Sequence, residues 1–112
     1  TISGVILVGT WSLLRDALNL ALDAVPSHID PDKVRADLAA LPGVHEVHDV
    51  HIWAMSTTES ALTAHLVMSA PPEGFVGEVC AALQEQFHIG HSTIQIDPVA
   101  SPACRLAPEH LV

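Results

Sequence analysis

Along this 112-residue chain the period of the hydrophobic positions changes several times, and each change marks an element. Thr1 to Leu14 carry no charge and are mostly apolar. As a helix rising about 1.5 Å per residue, that run spans about 21 Å, short of a membrane core roughly 30 Å thick. Trp11 and Arg15 stand where an interfacial aromatic and a cytoplasmic basic residue mark the inner end of a membrane helix. A buried helix of a soluble protein is the alternative. Beyond Arg15, Leu18, Leu22 and Val25 keep helical spacing, with Asp16 and Asp23 interleaved, so the helix is expected to continue into water until Pro26 stops it.

Ser27 to Ile29 read as a linker. Asp30-Pro31 then offers a capping carboxylate and a proline at the first helical position, and Val34, Leu38 and Leu41 give an apolar face that ends at Pro42-Gly43. From Val44 to Trp53, β-branched residues without Gly or Pro predict a strand, with apolar residues on both parities. Ser56 to Ser60 is a turn. Leu62, Ala64, Leu66 and Met68 alternate with Ala61, Thr63, His65 and Val67, which predicts a second, antiparallel strand. Pro71-Pro72-Glu73 opens a helix with Val76, Val79, Cys80, Leu83 and Phe87 as its stripe, Cys80 belonging to the core. A last strand from about His91 to Asp97 turns Ile94 and Ile96 inward and leaves His91, Thr93, Gln95 and Asp97 on the other face. The three prolines from residue 98 onward predict an irregular tail. The expected fold is α+β, an α-β-β-α-β order with helices on one face of a three-stranded sheet and a separate helix before it.

Composition narrows the function. Hydrophobic residues make up 49% and charged residues 15%, too apolar for a disordered tail and apolar enough that some surface should meet lipid or a partner. Four Lys and Arg stand against thirteen Asp and Glu, so there is no electrostatic footprint for nucleic acid. Two cysteines outside any CxxC pair fit neither a stapled secreted domain nor a zinc ribbon, and point to a reducing compartment. The apolar start has no basic n-region and no small-residue cleavage site, and the chain opens on Thr1; a piece of a longer protein is the expectation.

Eight histidines are the outlier. Six lie on or beside predicted strands: His45, His48 and His51 on the first, His65 on the second, His88 and His91 at the entry to the third. Neutral imidazole and carboxylate are ligands for zinc and similar divalent ions, and strands about 4.8 Å apart bring such groups to one ion. His65 and Asp97 lie on the polar faces of their strands, and His48 can join from a neighbour. A lone strand histidine is ordinarily a satisfied surface or core residue; several on adjacent elements of an acidic chain favour metal. His45 and His51 have the opposite parity from His48, so all three reach one ion only through a bulge, and His45 is left out. His45-Glu46-Val47-His48 is not HExxH, and no GxSxG or glycine-rich phosphate loop occurs, so nothing argues for an enzyme.

The strings Leu14 to Leu20, Asp23 to Asp30, Leu41 to Val44, His48-Asp49-Val50-His51-Ile52-Trp53, Ala64 to Val67 and Thr93 to Asp97 together resemble the cation diffusion facilitators. The resemblance is strongest to their cobalt-zinc-cadmium resistance branch, itself similar to animal vesicular zinc transporters. It implies that residues 1–26 are the inner end of the last membrane helix with its cytosolic extension. It implies that residues 27–112 are a cytoplasmic, ferredoxin-like and metallochaperone-like domain that binds Zn²⁺, Co²⁺ or Cd²⁺ and forms a V-shaped homodimer beneath a bacterial inner membrane. The family's ligands fall on His48, His65 and Asp97. Some members add a ligand where His91 or His88 stands, others a tail cysteine where Cys104 stands; a subgroup has His where this chain has Gln95. The family's transport site lies in membrane helices outside this sequence, so the expected task of the chain is to dimerise and to sense metal. Two alternatives are a stand-alone metal-buffering or chaperone protein of the same fold and a zinc hydrolase, which needs an open coordination position and a base.

Overall fold

A computed structural model of the chain describes residues 1–99. Its elements are α1 (Ile2–Ala21), α2 (Pro31–Ala39), β1 (Val44–Ala54), β2 (Ser60–Met68), α3 (Phe75–Phe87) and β3 (His91–Asp97). The sheet runs β1-β2-β3, with β2 central. A tight turn makes β1 and β2 antiparallel, whereas α3 carries the chain across so that β2 and β3 are parallel. The α+β order expected from the hydrophobic pattern is the one observed.

Local chemistry sets the boundaries. Asp30 caps α2, its carboxylate accepting from the backbone N–H of Asp32 at 3.0 Å and of Lys33 at 3.4 Å, with Pro31 in the first turn where a missing N–H costs nothing. Gly43 then turns the chain into β1 at φ +85°, a conformation that side-chain-bearing residues rarely adopt. At the β1–β2 turn the Ser56 hydroxyl oxygen accepts from the N–H of Thr58 and of Glu59.

Two helix limits differ from expectation. α1 ends at Ala21 instead of running to Pro26, because Asp23 enters the left-handed region at φ 50° and breaks the ladder before the proline is reached. α3 begins at Phe75 instead of beside Pro71, because Gly74 is left-handed at φ 81°. This shift buries Phe75 and leaves Val76 38% exposed, so Val76 is not part of the packed stripe. His88 ends α3, also left-handed at φ 57°, and the following N–H of Ile89 reaches back to the Leu83 carbonyl.

The core lies between the helices and one face of the sheet. Val34 and Leu38 from α2 and Phe75, Val79, Leu83 and Phe87 from α3 meet Ile52 of β1 and Leu62, Ala64, Leu66 and Met68 of β2. Cys80 is half-buried at its edge, with Sγ 3.8 Å from the Ser92 carbonyl. α1 buries none of its residues, and Ile2, Val5, Leu7, Val8, Trp11 and Leu13 are each more than 65% exposed. No helix among the described residues is long and apolar enough to cross a membrane.

β1 is longer than the β2 segment it pairs with, and two irregularities absorb the excess. Between Val44 and Glu46, and again between His48 and His51, the register shifts. At the second, Asp49 and Val50 face the single residue Ala64, because His48 pairs with His65 and His51 with Thr63. Asp49 takes φ 54° there.

Leu66 is fully buried at the centre of β2. Leu66→Ala is expected to lower the unfolding free energy by about 2–5 kcal/mol, while an alanine at an exposed site such as Val76 changes it by about 0.5 kcal/mol or less; urea denaturation compares the two.

Candidate metal centre

His48, His65 and Asp97 come one from each strand. His48 and His65 are partners in the antiparallel register, and their ring centroids lie 5.1 Å apart with planes tilted by 47°. Parallel pairing sets His65 opposite Gln95, so Asp97 lies two residues further along β3 on the same face. Its carboxylate reaches both rings: Oδ2 is 3.2 Å from His65 Nδ1 and 3.5 Å from His48 Nε2. One donor atom from each residue falls within 4.8 Å of the others.

That spacing suits a small divalent ion. Zinc holds imidazole nitrogen and carboxylate oxygen at about 2.0–2.2 Å in a tetrahedron, which separates neighbouring donor atoms by about 3.3–3.5 Å. The observed 3.2 and 3.5 Å are edges of nearly that size. The side chains are mostly shielded, at 9% exposed for His48, 15% for His65 and 20% for Asp97. His48 Nδ1 is buried with no hydrogen-bond partner among the described residues.

Gln95 anchors the carboxylate. Its amide Nε2 donates to Asp97 Oδ1 at 2.9 Å, leaving Oδ2 to face the imidazoles. This hydrogen bond is the main reason that the Asp97 carboxyl titrates below the ordinary carboxylate range; burial pushes the other way, and His65 and His48 add smaller downward pulls. Asp97 is therefore an anion, ready to bind a cation, well into acid solution.

None of the other candidate ligands among the described residues joins the cluster. His91 stands opposite Ala61 at the far end of β3, six residues from Asp97 and so about 20 Å along the strand. It is exposed, with Nε2 3.3 Å from Glu59. His88 caps α3 through its backbone. Cys104 lies outside the described residues. His45 is exposed beside the first register shift. The second shift supplies the bulge without which His48 and His51 could not share a face.

Two residues of the cluster were not among the expected ligands or their supports. Asp49 Oδ1 lies 2.8 Å from His51 Nε2, and its Oδ2 lies 3.6 Å from His65 Nε2. The apolar residues on both parities of β1 were the available signal for a bulge, and Asp is among the few side-chain-bearing residues that tolerate the left-handed turn a bulge can require. Gln95 had only its place on the polar face of β3 to mark it.

Residues 26–99 match the family model for the cytoplasmic domain of cation efflux proteins. The chain belongs to this family. The metal cation efflux system protein CzcD of Cupriavidus metallidurans is 37% identical over 95 residues, covering 82% of this chain and 30% of that protein. The Dictyostelium discoideum protein named Probable zinc transporter protein is 38% identical over 108 residues, covering 93% of this chain and 20% of its own length. The chain thus spans less than a third of the curated relatives it matches. Among solved structures, the metal-bound C-terminal domain of the Cupriavidus CzcD transporter superposes with a TM-score of 0.56 at 36% identity, covering 62% of this chain and 99% of that domain. Membership in a family of cation efflux proteins agrees with a site built from two imidazoles and a carboxylate.

If Gln95 holds Asp97 down, Gln95→Ala should move the Asp97 titration up towards the ordinary carboxylate range, read from its carboxyl ¹³C shift in metal-free protein. A depressed carboxyl stabilises the fold above the unfolded value of about 3.9 and loses that contribution as pH falls through the folded value, so the variant should lose part of its margin near neutral pH.

Proposed function

We propose that this chain is the cytoplasmic regulatory and dimerisation domain of a divalent cation efflux transporter, and that His48, His65 and Asp97 ligate Zn²⁺, or Co²⁺ or Cd²⁺ in its place. The observation that carries the reading is the convergence of three ligand-type side chains, one from each strand, with donor atoms within 4.8 Å of one another and two of the separations, 3.2 and 3.5 Å, close to tetrahedral zinc edges. The fourth position goes to water or to Cys104; His91 of the same protomer is too far along β3 to take it. The ion would bind and bias conformation. Catalysis needs, in addition, a positioned base in a substrate pocket, and this reading assigns the site no such step.

Two further parts rest on the same footing. Residues 1–26 are the inner end of the last membrane helix with its extension, supported by an α1 that buries nothing and exposes a nearly continuous apolar surface. Residues 27–112 then lie on the cytoplasmic side, and a bacterial inner membrane is the setting. The domain forms a homodimer, supported by an open sheet face opposite the helices; its excess of negative charge, formally -9 with histidines neutral, makes the pair gape until cations bind. Metal then shifts the population towards the closed pair by its higher affinity for that arrangement.

Zinc titration by calorimetry should give binding to the chain that is lost in His65→Ala and in Asp97→Ala; unchanged stoichiometry and affinity in both variants would refute the ligand assignment. Affinity should fall as the solution is made more acid, because protons compete with the metal for the imidazole lone pairs.

Sedimentation velocity of residues 27–112 should show a dimer that zinc strengthens. A monomer at high concentration with zinc present would refute the dimerisation role.

A further inference from the structure

His65 is the one histidine of the cluster whose two ring nitrogens both face carboxylates: Nδ1 is 3.2 Å from Asp97 Oδ2, and Nε2 is 3.6 Å from Asp49 Oδ2. A neutral imidazole has one N–H and one lone pair, so when the ring is neutral and no metal is bound one of these carboxylates faces a lone pair. A metal ion on the Nδ1 side removes the conflict. The Nδ1 lone pair would then serve the ion, which Asp97 and His48 would also hold, and the proton would sit on Nε2, on the side of Asp49.

Asp49 reaches that position only through the bulge. In an unbroken strand residues 48 and 49 would point to opposite faces. Here the register shift and the left-handed backbone at φ 54° swing the Asp49 carboxylate across to β2, and His51 holds its other oxygen at 2.8 Å. At 3.6 Å the contact with His65 is electrostatic and longer than a hydrogen bond; a closure of a few tenths of an ångström would make it one.

We infer that Asp49 is a positioning residue for the metal centre: its carboxylate fixes the tautomer and ring angle of His65 so that Nδ1 presents its lone pair beside Asp97 and His48. The inference rests on the metal-binding reading above. Carboxylates that orient a metal-bound histidine in this way affect affinity by about 10–100-fold when removed.

The test uses the full chain with Asp49→Gly and Asp49→Asn, both compatible with a positive φ, so that the bulge survives while the carboxylate is lost. Zinc affinity is measured by competition with a chelator, and the His65 ring is followed by ¹⁵N-edited NMR. Wild type with zinc should show a downfield, slowly exchanging Nε2 proton on His65. Asp49→Gly should lose that signature and bind zinc about 10–100-fold more weakly, with the metal-free unfolding midpoint close to wild type. Asp49→Asn, which keeps an acceptor oxygen without the charge, should fall between the two. If wild type binds zinc and both variants bind it equally well with the Nε2 signal intact, Asp49 has no positioning role although the ligand assignment stands. If wild type itself fails to bind zinc, the metal reading falls and this inference falls with it.

Discussion

Leu62, Ala64, Leu66 and Met68 face the helices because a pleated strand turns successive side chains to opposite sides, and that alternation in β2 is the constraint on which the rest of the molecule depends. Burying the even positions commits Thr63, His65 and Val67 to the other face. A slip of one residue would exchange the two sets, placing His65 in the core and four apolar side chains in water. The apolar packing therefore does more than stabilise the domain. It also fixes the height and direction at which His65 meets its neighbours from β1 and β3.

Those neighbours arrive by different routes. β1 pairs through a short turn whose register alone would set His48 opposite Leu66, and the bulge between His48 and His51 moves it opposite His65, whereas β3 arrives through the α3 crossover in parallel register, with Val79, Leu83 and Phe87 of α3 in the core. The carboxylate of Asp97 thus depends on long-range packing for its place and on Gln95 for its orientation. In this short-range network Gln95 and the two imidazoles favour the Asp97 anion, while His51 lies 2.8 Å from one oxygen of the Asp49 carboxylate.

α1 stands apart in its chemistry from this compact unit. Its side chains are exposed and apolar, against the usual pattern of a helix that buries one face, and the family match begins only at residue 26. The matched region contains the residues of the hydrophobic core, and the histidine cluster lies within it.

Much of this was legible in the residues. Period-2 alternation in β2, the i, i+4 pair Val34 and Leu38, and the Asp30-Pro31 cap are local signals, and local physics was enough to predict the order of elements and the inward face of each. His65 and Asp97 could be placed on polar faces by parity alone, because parity depends only on position within a strand. Asp49, Gln95 and the exclusion of His91 could not be read this way. The bulge in β1 exists because that strand must match a shorter run of β2, a requirement visible only once the two are paired. The separation of His91 from Asp97 follows from the parallel register of β3. The role of Gln95 depends on which carboxylate oxygen is left facing the imidazoles. The sequence by itself determined which residues could bear ligands and which faces they occupied; the tertiary structure decided which of them meet, because register and bulges arise from pairing between segments distant along the chain.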